Sequence, residues 1–408
     1  VTTDLDRSSR RALVGIPVVL AMLAMIGPFS IDTPFPAFDS MERDFSVGSG
    51  EMQLVVTTYM LAFAAVSIFH GPLSDAIGRR PVIVGSLAVY ALASIACAFA
   101  PSLAWLLVGR AVQGVAAGGS TIVSRTVIRD LFDGHEAQRL MSRVAVIFGL
   151  APAIAPILGG VLLQLGPWPL VFWFMGLLGA VLIAATLLVL PESHPPEDRV
   201  PLRVGEVVAG LLEVGRLAAF HRIAWAGTFV FAAQFLYIGG AAIFVGDVLG
   251  MGELDYWKLF VPMIGAMMIG STISGRTAGV VDPHRLIGIG FGLAIAGGAL
   301  GVATALTPWG ASMPWPLLGV TVLALGNGLA YPNIQLMMLD LLPRRRGAVM
   351  SGATFVTLSF NAIAAFAITP YAGTSVLGFA LTALAMVTCG YLLWWRHSTV
   401  TRSLADVG

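Results

Sequence analysis

PVIVGSLAVYALASIACAFA, residues 81–100, is an apolar stretch that contains no charged residue. At about 1.5 Å per residue, a helix of about 20 residues crosses the roughly 30 Å hydrocarbon core of a bilayer. Working outward, the pattern recurs at 103–125, 144–164 and 168–190 on one side, and at 50–70 and 12–37 on the other. Six more runs follow at 222–246, 256–275, 286–306, 314–338, 348–369 and 374–395. None alternates in the manner of an outer-membrane strand, and hydrocarbon offers no water to unpaired backbone groups, so helices are the remaining way across. The expected fold class is an all-α integral membrane protein with twelve transmembrane helices in two six-helix bundles. The first run follows Arg7, Arg10 and Arg11 in the manner of a signal peptide. It is longer than an h-region of about 7 to 15 residues and lacks a small-residue cleavage site, so it reads as a permanent span.

Composition agrees. Of 408 residues 57% are apolar, 11% are charged, and 47 are glycine, whereas ordinary soluble domains carry about 25% charge. Mean hydropathy is +0.87. A net charge of +1 without a basic tract excludes a nucleic-acid binder that works through phosphate contacts. Cys97 and Cys389 both lie in apolar runs, so no disulfide framework and no cysteine-ligated metal site is expected.

With the N-terminus in the cytoplasm, the inner segments hold Arg7, Arg10, Arg11, Arg79, Arg80, Arg125, Arg129, Arg139, Arg143, Arg199, Arg203, Arg216, Arg222, Arg276, Arg285, Arg344, Arg345, Arg346, Arg396 and Arg402. The outer loops hold only Arg43 and Lys258, and Arg110 falls inside a span. This split obeys the positive-inside rule and predicts that both termini are cytoplasmic. The longest inner segment, 191–221, begins PESHPPEDRVP and continues as an amphipathic helix expected to lie on the membrane surface. It separates two six-span halves, 1–190 and 222–408, an arrangement that suits a transporter holding substrate between two repeats.

Three short motifs narrow the reading. In GPLSDAIGRRP (71–81), Gly71 and Gly78 permit a tight turn, and Asp75 is suited to capping the next helix or pairing with arginine. Arg79 and Arg80 suit phosphates or helix C-termini. RAVQGVAAGGS (110–120) puts an arginine and a small-residue face in the fourth span, and APAIAPILGG (151–160) puts two prolines and a glycine pair in the fifth. The first motif resembles the signature loop between the second and third helices of the major facilitator superfamily. The second is similar to the fourth-helix motif of its proton-coupled drug antiporters, and the third resembles the antiporter motif of its exporters. Together with IDTPFPAF (31–38), the set looks most like the Bcr/CflA group, whose members export bicyclomycin, phenicols and other compounds in exchange for protons. Ala76 departs from the family loop, which usually has arginine there, and so carries no charge for a relay; Ala155 replaces a glycine common in antiporters, in a form familiar from the Bcr-like group. GRTAGVVDPHR (275–285) is a degenerate echo of the loop in the second half.

The resemblance implies a major facilitator fold in the bacterial inner membrane, with small-molecule substrate, protons and lipid bilayer as partners. It implies no cofactor beyond the proton gradient, no nucleic acid and a monomer. It also implies conformational gating by Gly71, Asp75, Gly78, Arg79 and Arg80, and by Pro152, Pro156, Gly159 and Gly160. For the last four, ordinary helix packing is an equal alternative.

His70, His135, His194, His221, His284 and His397 all fall at or beyond inner membrane edges, and Asp247 and Asp340 fall at span ends. Asp32 and Arg110 are different: each lies about 10 Å below the outer surface. A charge at that depth costs about 2.5 to 3.5 kcal/mol on insertion scales unless paired or hydrated. Two readings follow. The pair is either a static salt bridge that fixes packing, or the proton-coupling site, with Asp32 carrying the proton and Arg110 favouring its ionised form in one state only. Pro28, Pro34 and Pro36 suit either a discontinuous, cavity-lining first span or a packing kink. Substrate-pocket candidates are Asp32 and the intramembrane polar residues Tyr59, Gln113, Gln234, Tyr237, Asn327, Asn333 and Asn361, with Gln53, Tyr331 and Gln335 of the same kind.

The expected function is drug:H+ antiport. The alternative within transport is a proton-coupled carrier of one metabolite, an amino acid or nucleoside. A sensor on the same fold is a third reading. An enzyme is disfavoured, because no HExxH, GxSxG or Walker-type sequence occurs.

Overall fold

A computed structural model describes residues 15–132, 134–277, 280–342 and 346–405. All regular structure among them is helical. Arg7, Arg10, Arg11, Arg344, Arg345 and, in the echo loop, Ala278 and Gly279 lie outside the described residues. So do the side chains of His135, Arg139, Arg143, Arg346 and Arg402.

Ten helices among the described residues are long and apolar enough to cross a bilayer, or eleven if the bent pair Ala218–Gly239 and Ala242–Val248 is one span. The remaining predicted run, 144–164, falls on Gly149–Leu165, a shorter apolar stretch. It forms the end of the 32-residue helix Gly134–Leu165. Over the described residues, all twelve predicted runs are therefore helical, and the chain folds as a multi-pass membrane protein.

The chain divides into two compact units. The first holds the described residues up to Val47 and Thr58–Val207; the second holds Gly48–Thr57 and the described residues from Val208 onward. The first contains α1 (Ile16–Asp32), α2 (Phe38–Phe45) and most of α3 (Ser49–Ile77). It continues with α4 (Arg79–Ala98), α5 (Leu103–Thr121), α6 (Val123–Leu131), α7 (Gly134–Leu165) and α8 (Pro169–Val189). Here α4 packs on α5 and α8, and α1 packs on α7 and α5. The first turns of α3 belong to the second unit, where Thr57 Oγ1 donates to the Ala362 carbonyl at 3.0 Å.

The linker contains α9 (Val204–Gly215), across which the division falls. The second unit continues with α10 (Ala218–Gly239), α11 (Tyr256–Arg276), α12 (Pro283–Ala305) and α13 (Trp315–Leu341). It ends with α14 (Arg346–Ala367), the short α15 (Thr369–Ala372) and α16 (Val376–Ala405). Glycines set its closest packing: a Cβ on Gly319 would strike the backbone of Gly301, and one on Gly326 would strike the Gly290 carbonyl. Without a hydrophobic force between helices in lipid, such close approach is a main source of attraction, so α12 and α13 lie backbone to backbone.

The first span, Ile16–Phe45, runs as one helical segment whose α-helical ladder is interrupted part-way. Its α-helix stops at Asp32, Phe35–Ala37 forms a 3-10 turn, and α2 follows. Pro34 and Pro36 lack the donors a continuing ladder needs. Asp32 is thereby left at the C-terminal end of α1.

Candidate functional site

Arg110 is fully buried in α5. Its Nη1 donates to Gln113 Oε1, one turn on, at 2.8 Å, and its Cζ lies 4.5 Å from the centroid of the Tyr59 ring on α3. A cation over an aromatic face within about 6 Å is attracted by the ring quadrupole. Gln113 Nε2 donates to Ser94 Oγ at 2.7 Å, and Ser94 Oγ donates to the Tyr90 carbonyl at 2.8 Å. The Tyr90 hydroxyl and Ser30 Oγ are 2.6 Å apart, and the Tyr59 hydroxyl donates to the Gly27 carbonyl at 3.4 Å. A polar cluster from α1, α3, α4 and α5 thus surrounds one guanidinium in an otherwise apolar interior.

Asp32 lies beside this cluster, 2% exposed, and its Oδ1 has no hydrogen-bond partner. The expected direct pair is not made: among the described residues, no hydrogen bond or ion pair joins Asp32 to Arg110. The guanidinium runs along its own helix to Gln113 and lies on the Tyr59 ring. Tyr59 is within electrostatic reach of both Asp32 and Arg110. Sequence reasoning missed Ser30, Tyr90 and Ser94. The available signal was the four-residue spacing of Tyr90 and Ser94, which puts both on one helix face.

The small residues of α7 pack on the first span within this unit. Ala151 and Ala155 form a buried cluster with Phe29, and a Cβ at Gly159 would collide with the Thr33 carbonyl, next to Asp32. Pro152 and Pro156 lie inside the same helix. Gly160 is buried alongside Gly159. On α5, the Gly118 and Gly119 face receives the buried ring of His70.

In the second unit, Asn327 Nδ2 donates to Gln234 Oε1 at 2.6 Å, and Gln234 Nε2 reaches Met267 Sδ at 3.5 Å. Asn327 Oδ1 is buried without a partner. Asn333 instead joins α13 to α11 through Ser274 Oγ at 2.8 Å. Tyr237 belongs to an aromatic group with Phe244 and Phe379, ring centroids 5.1 and 5.3 Å away. Asn361 and Gln53 are fully buried, and neither amide has a hydrogen-bond partner. Tyr331 and Gln335 line a small recess with Met338, Met350, Thr354 and Thr357.

The motif loop is built around Arg79. Its guanidinium binds Asp75 at 2.5 Å, Ser74 at 2.7 Å and Asp130 of α6 at 3.0 Å. Gly78, at φ +105°, occupies backbone that favours glycine. Asp75 pairs with arginine and does not cap α4. That role falls to Glu192, after α8, which accepts from the backbone N–H of Arg79 at 2.9 Å and of Arg80 at 3.2 Å. Arg80 Nη2 donates to the Leu187 carbonyl in the last turn of α8, as an arginine suited to helix C-termini should. Ser193 Oγ donates to Asp130 at 2.9 Å, His194 Nε2 lies 3.1 Å from the Asp75 carbonyl, and the Val200 N–H reaches that carbonyl at 3.2 Å. Gly71, by contrast, lies inside α3, where an added Cβ would meet nothing within 4 Å, so neither a tight turn nor a close approach requires glycine there. The start of the linker is therefore a strap over the loop, and Glu192 and Asp130 are the residues sequence reasoning passed over.

Glu192→Gln should cost about 1 kcal/mol of local stability, the usual worth of a cap. We expect faster amide hydrogen exchange over residues 74–82 and slower turnover, with substrate affinity unchanged. Unchanged exchange there would refute the capping role.

Residues 20–368 match the Major Facilitator Superfamily. The chain belongs to that superfamily. Among its major facilitator relatives, it is 26% identical to the bicyclomycin resistance protein homolog of Haemophilus influenzae, over 85% of this chain and 86% of that protein. It is also 26% identical to multidrug resistance protein D of Escherichia coli, over 65% and 67% of the two chains. Its fold is similar to that of a bacterial homolog of the human lysosomal transporter Spinster, with a TM-score of 0.73 at 15% identity, covering 95% of this chain and 98% of that one. Family and relatives alike make this major facilitator protein a membrane transporter of small molecules and not an enzyme.

Proposed function

We propose that the chain exports small amphipathic compounds, uncharged or weakly cationic and akin to phenicols or bicyclomycin, across the bacterial inner membrane in exchange for protons. The observation that carries this reading is Asp32, a buried carboxylate with an unpartnered oxygen beside a guanidinium already engaged by Gln113 and Tyr59. A charge kept only for packing would be paired, whereas a group that must gain and lose a proton needs an unengaged oxygen. The names of the relatives, one for bicyclomycin resistance and one for multidrug resistance, support export over uptake.

Coupling follows from linkage. If bound substrate disfavours the protonated Asp32, then protonation of Asp32 disfavours bound substrate by the same factor. Protons arriving from outside release substrate there, and substrate arriving from inside releases the proton. Arg110 and Tyr59 make the ionised carboxylate tolerable in one state of the cycle. Asp32 is the one fully buried acid among the described residues, which suits an uncharged or singly charged substrate more than a dication. The motif loop and its strap gate the conformational change, both termini are cytoplasmic, and the monomer is the working unit. The proton gradient is the only energy source required.

The test is drug tolerance of an efflux-deficient bacterium expressing the chain, compared with the empty vector, across phenicols, bicyclomycin, fluoroquinolones and lipophilic cations. We expect tolerance to rise for the uncharged compounds and to collapse when the proton gradient is dissipated. No protection against any compound would overturn the drug-export reading in favour of a single-metabolite carrier.

A further inference from the structure

Three basic side chains from three helices of the second unit converge at the end of the molecule expected to face the cytoplasm. Arg222 lies in the first turns of α10, His284 is the second residue of α12, and His397 is in the last turns of α16. The buried indole of Trp394 sits between the two imidazoles, its ring centroid 5.3 Å from His284 and 5.8 Å from His397. Both Arg222 and His284 are within electrostatic reach of His397.

Among the described residues, no acid forms an ion pair with Arg222. Its Nε is buried without a hydrogen-bond partner, as is Ser398 Oγ next to His397. The nearest acid on α12, Asp282, uses Oδ1 to accept the backbone N–H of His284 at 3.3 Å. A buried donor on a guanidinium is costly to leave unmade, and an anion offers the strongest partner for it. The depth of the cluster indicates which anion. Trp395, 57% exposed, and exposed Arg396 stand beside it on α16, the residue types that mark the lipid headgroup region. Basic pockets between helices at that level suit anionic headgroups.

We propose that Arg222, His284 and His397 hold the phosphate of an anionic phospholipid of the inner leaflet, with Trp394 as the floor of the site. The guanidinium supplies a charge-assisted bond and the imidazoles supply further N–H donors. The acyl chains lie along the apolar flanks of α10 and α16. The shared chemistry is a phosphate, so free phosphate is the competing source.

The test uses the full chain purified in detergent and melted with added phosphatidylglycerol, phosphatidylcholine or inorganic phosphate. In the wild type, we expect phosphatidylglycerol to raise the melting temperature and the other two to leave it unchanged. In Arg222→Gln and in His284→Asn, about tenfold more phosphatidylglycerol should be needed, the effect of losing one charge-assisted bond. If Arg222→Gln does not fold, a second measurement stands independently. Brominated phosphatidylglycerol should quench a saturable part of the tryptophan emission that is missing in Trp394→Phe. Equal lipid requirement in wild type and variants, or quenching that survives Trp394→Phe, would overturn the proposal. An equal shift from inorganic phosphate would replace the lipid with a free anion.

Discussion

Asp32→Asn is expected to leave the protein folded and able to bind substrate while abolishing proton-driven accumulation. Asparagine keeps the size of the side chain and removes its titration. It also removes the cost of an ionised group at membrane depth, so the variant should be no less stable than the wild type. The size of the transport effect follows from coupling. With one proton exchanged per molecule and the membrane potential clamped, each pH unit is worth about 1.36 kcal/mol and sustains about a tenfold substrate gradient. In proteoliposomes with such a gradient, the wild type should concentrate substrate about tenfold and Asp32→Asn should only equilibrate it. The measurement is substrate distribution at steady state, with downhill flux as the control for folding. A variant that still concentrates substrate would move the proton site elsewhere and leave Asp32 with a packing role.

The same experiment separates the roles of the two buried charges. Arg110→Ala removes the cation that Tyr59 and Gln113 hold. It should impair coupling, as Asp32→Asn does, and in addition destabilise the fold. The amide of Gln113 and the face of Tyr59 would lose their partner inside the bundle, and an unmade buried hydrogen bond costs about 1 to 3 kcal/mol.

The second large effect is steric. A Cβ on Gly114 would overlap the Tyr59 carbonyl and crowd the Phe63 amide nitrogen, both rigid backbone of α3. Neither atom can swing aside as a flexible side chain does, so Gly114→Ala must push α3 away from α5. Overpacking of this kind costs about 1 to 3 kcal/mol. It also has a functional consequence, because moving α3 lifts the Tyr59 ring off Arg110. Gly292→Ala is the matched control, since its added methyl meets nothing within 4 Å. Helix propensity alone should make it neutral or slightly stabilising. The expected result is a lower melting temperature and weaker coupling for Gly114→Ala, with Gly292→Ala indistinguishable from wild type. Equal behaviour of the two would show that the α3 to α5 contact carries no functional geometry.

How far the site could be read in advance depended on distance along the chain. Arg110 and Gln113 are three residues apart on one helix, and their contact was implicit in RAVQ. Asp75 and Arg79 are likewise close, and pairing was one of two readings of that loop. The choice between them was made by Glu192, 113 residues from Arg79, which took the capping position. Asn333 was legible only as a polar residue in a span; that it joins α13 to α11 while Asn361 stays unpartnered follows from how each helix is rotated about its axis.

The sequence by itself determined that this chain crosses the membrane repeatedly, where its helices run, and which loop carries the superfamily's signature. Those are local properties, because the penalty for polar groups in hydrocarbon is charged residue by residue along a single helix. Only the tertiary structure decided that Arg110 lies on Tyr59 instead of meeting Asp32, and that Glu192 caps α4. It likewise brought Arg222, His284 and His397 to one place. Such meetings depend on the rotation and register of separate helices, which are set where glycines such as Gly114, Gly159 and Gly326 let backbones touch.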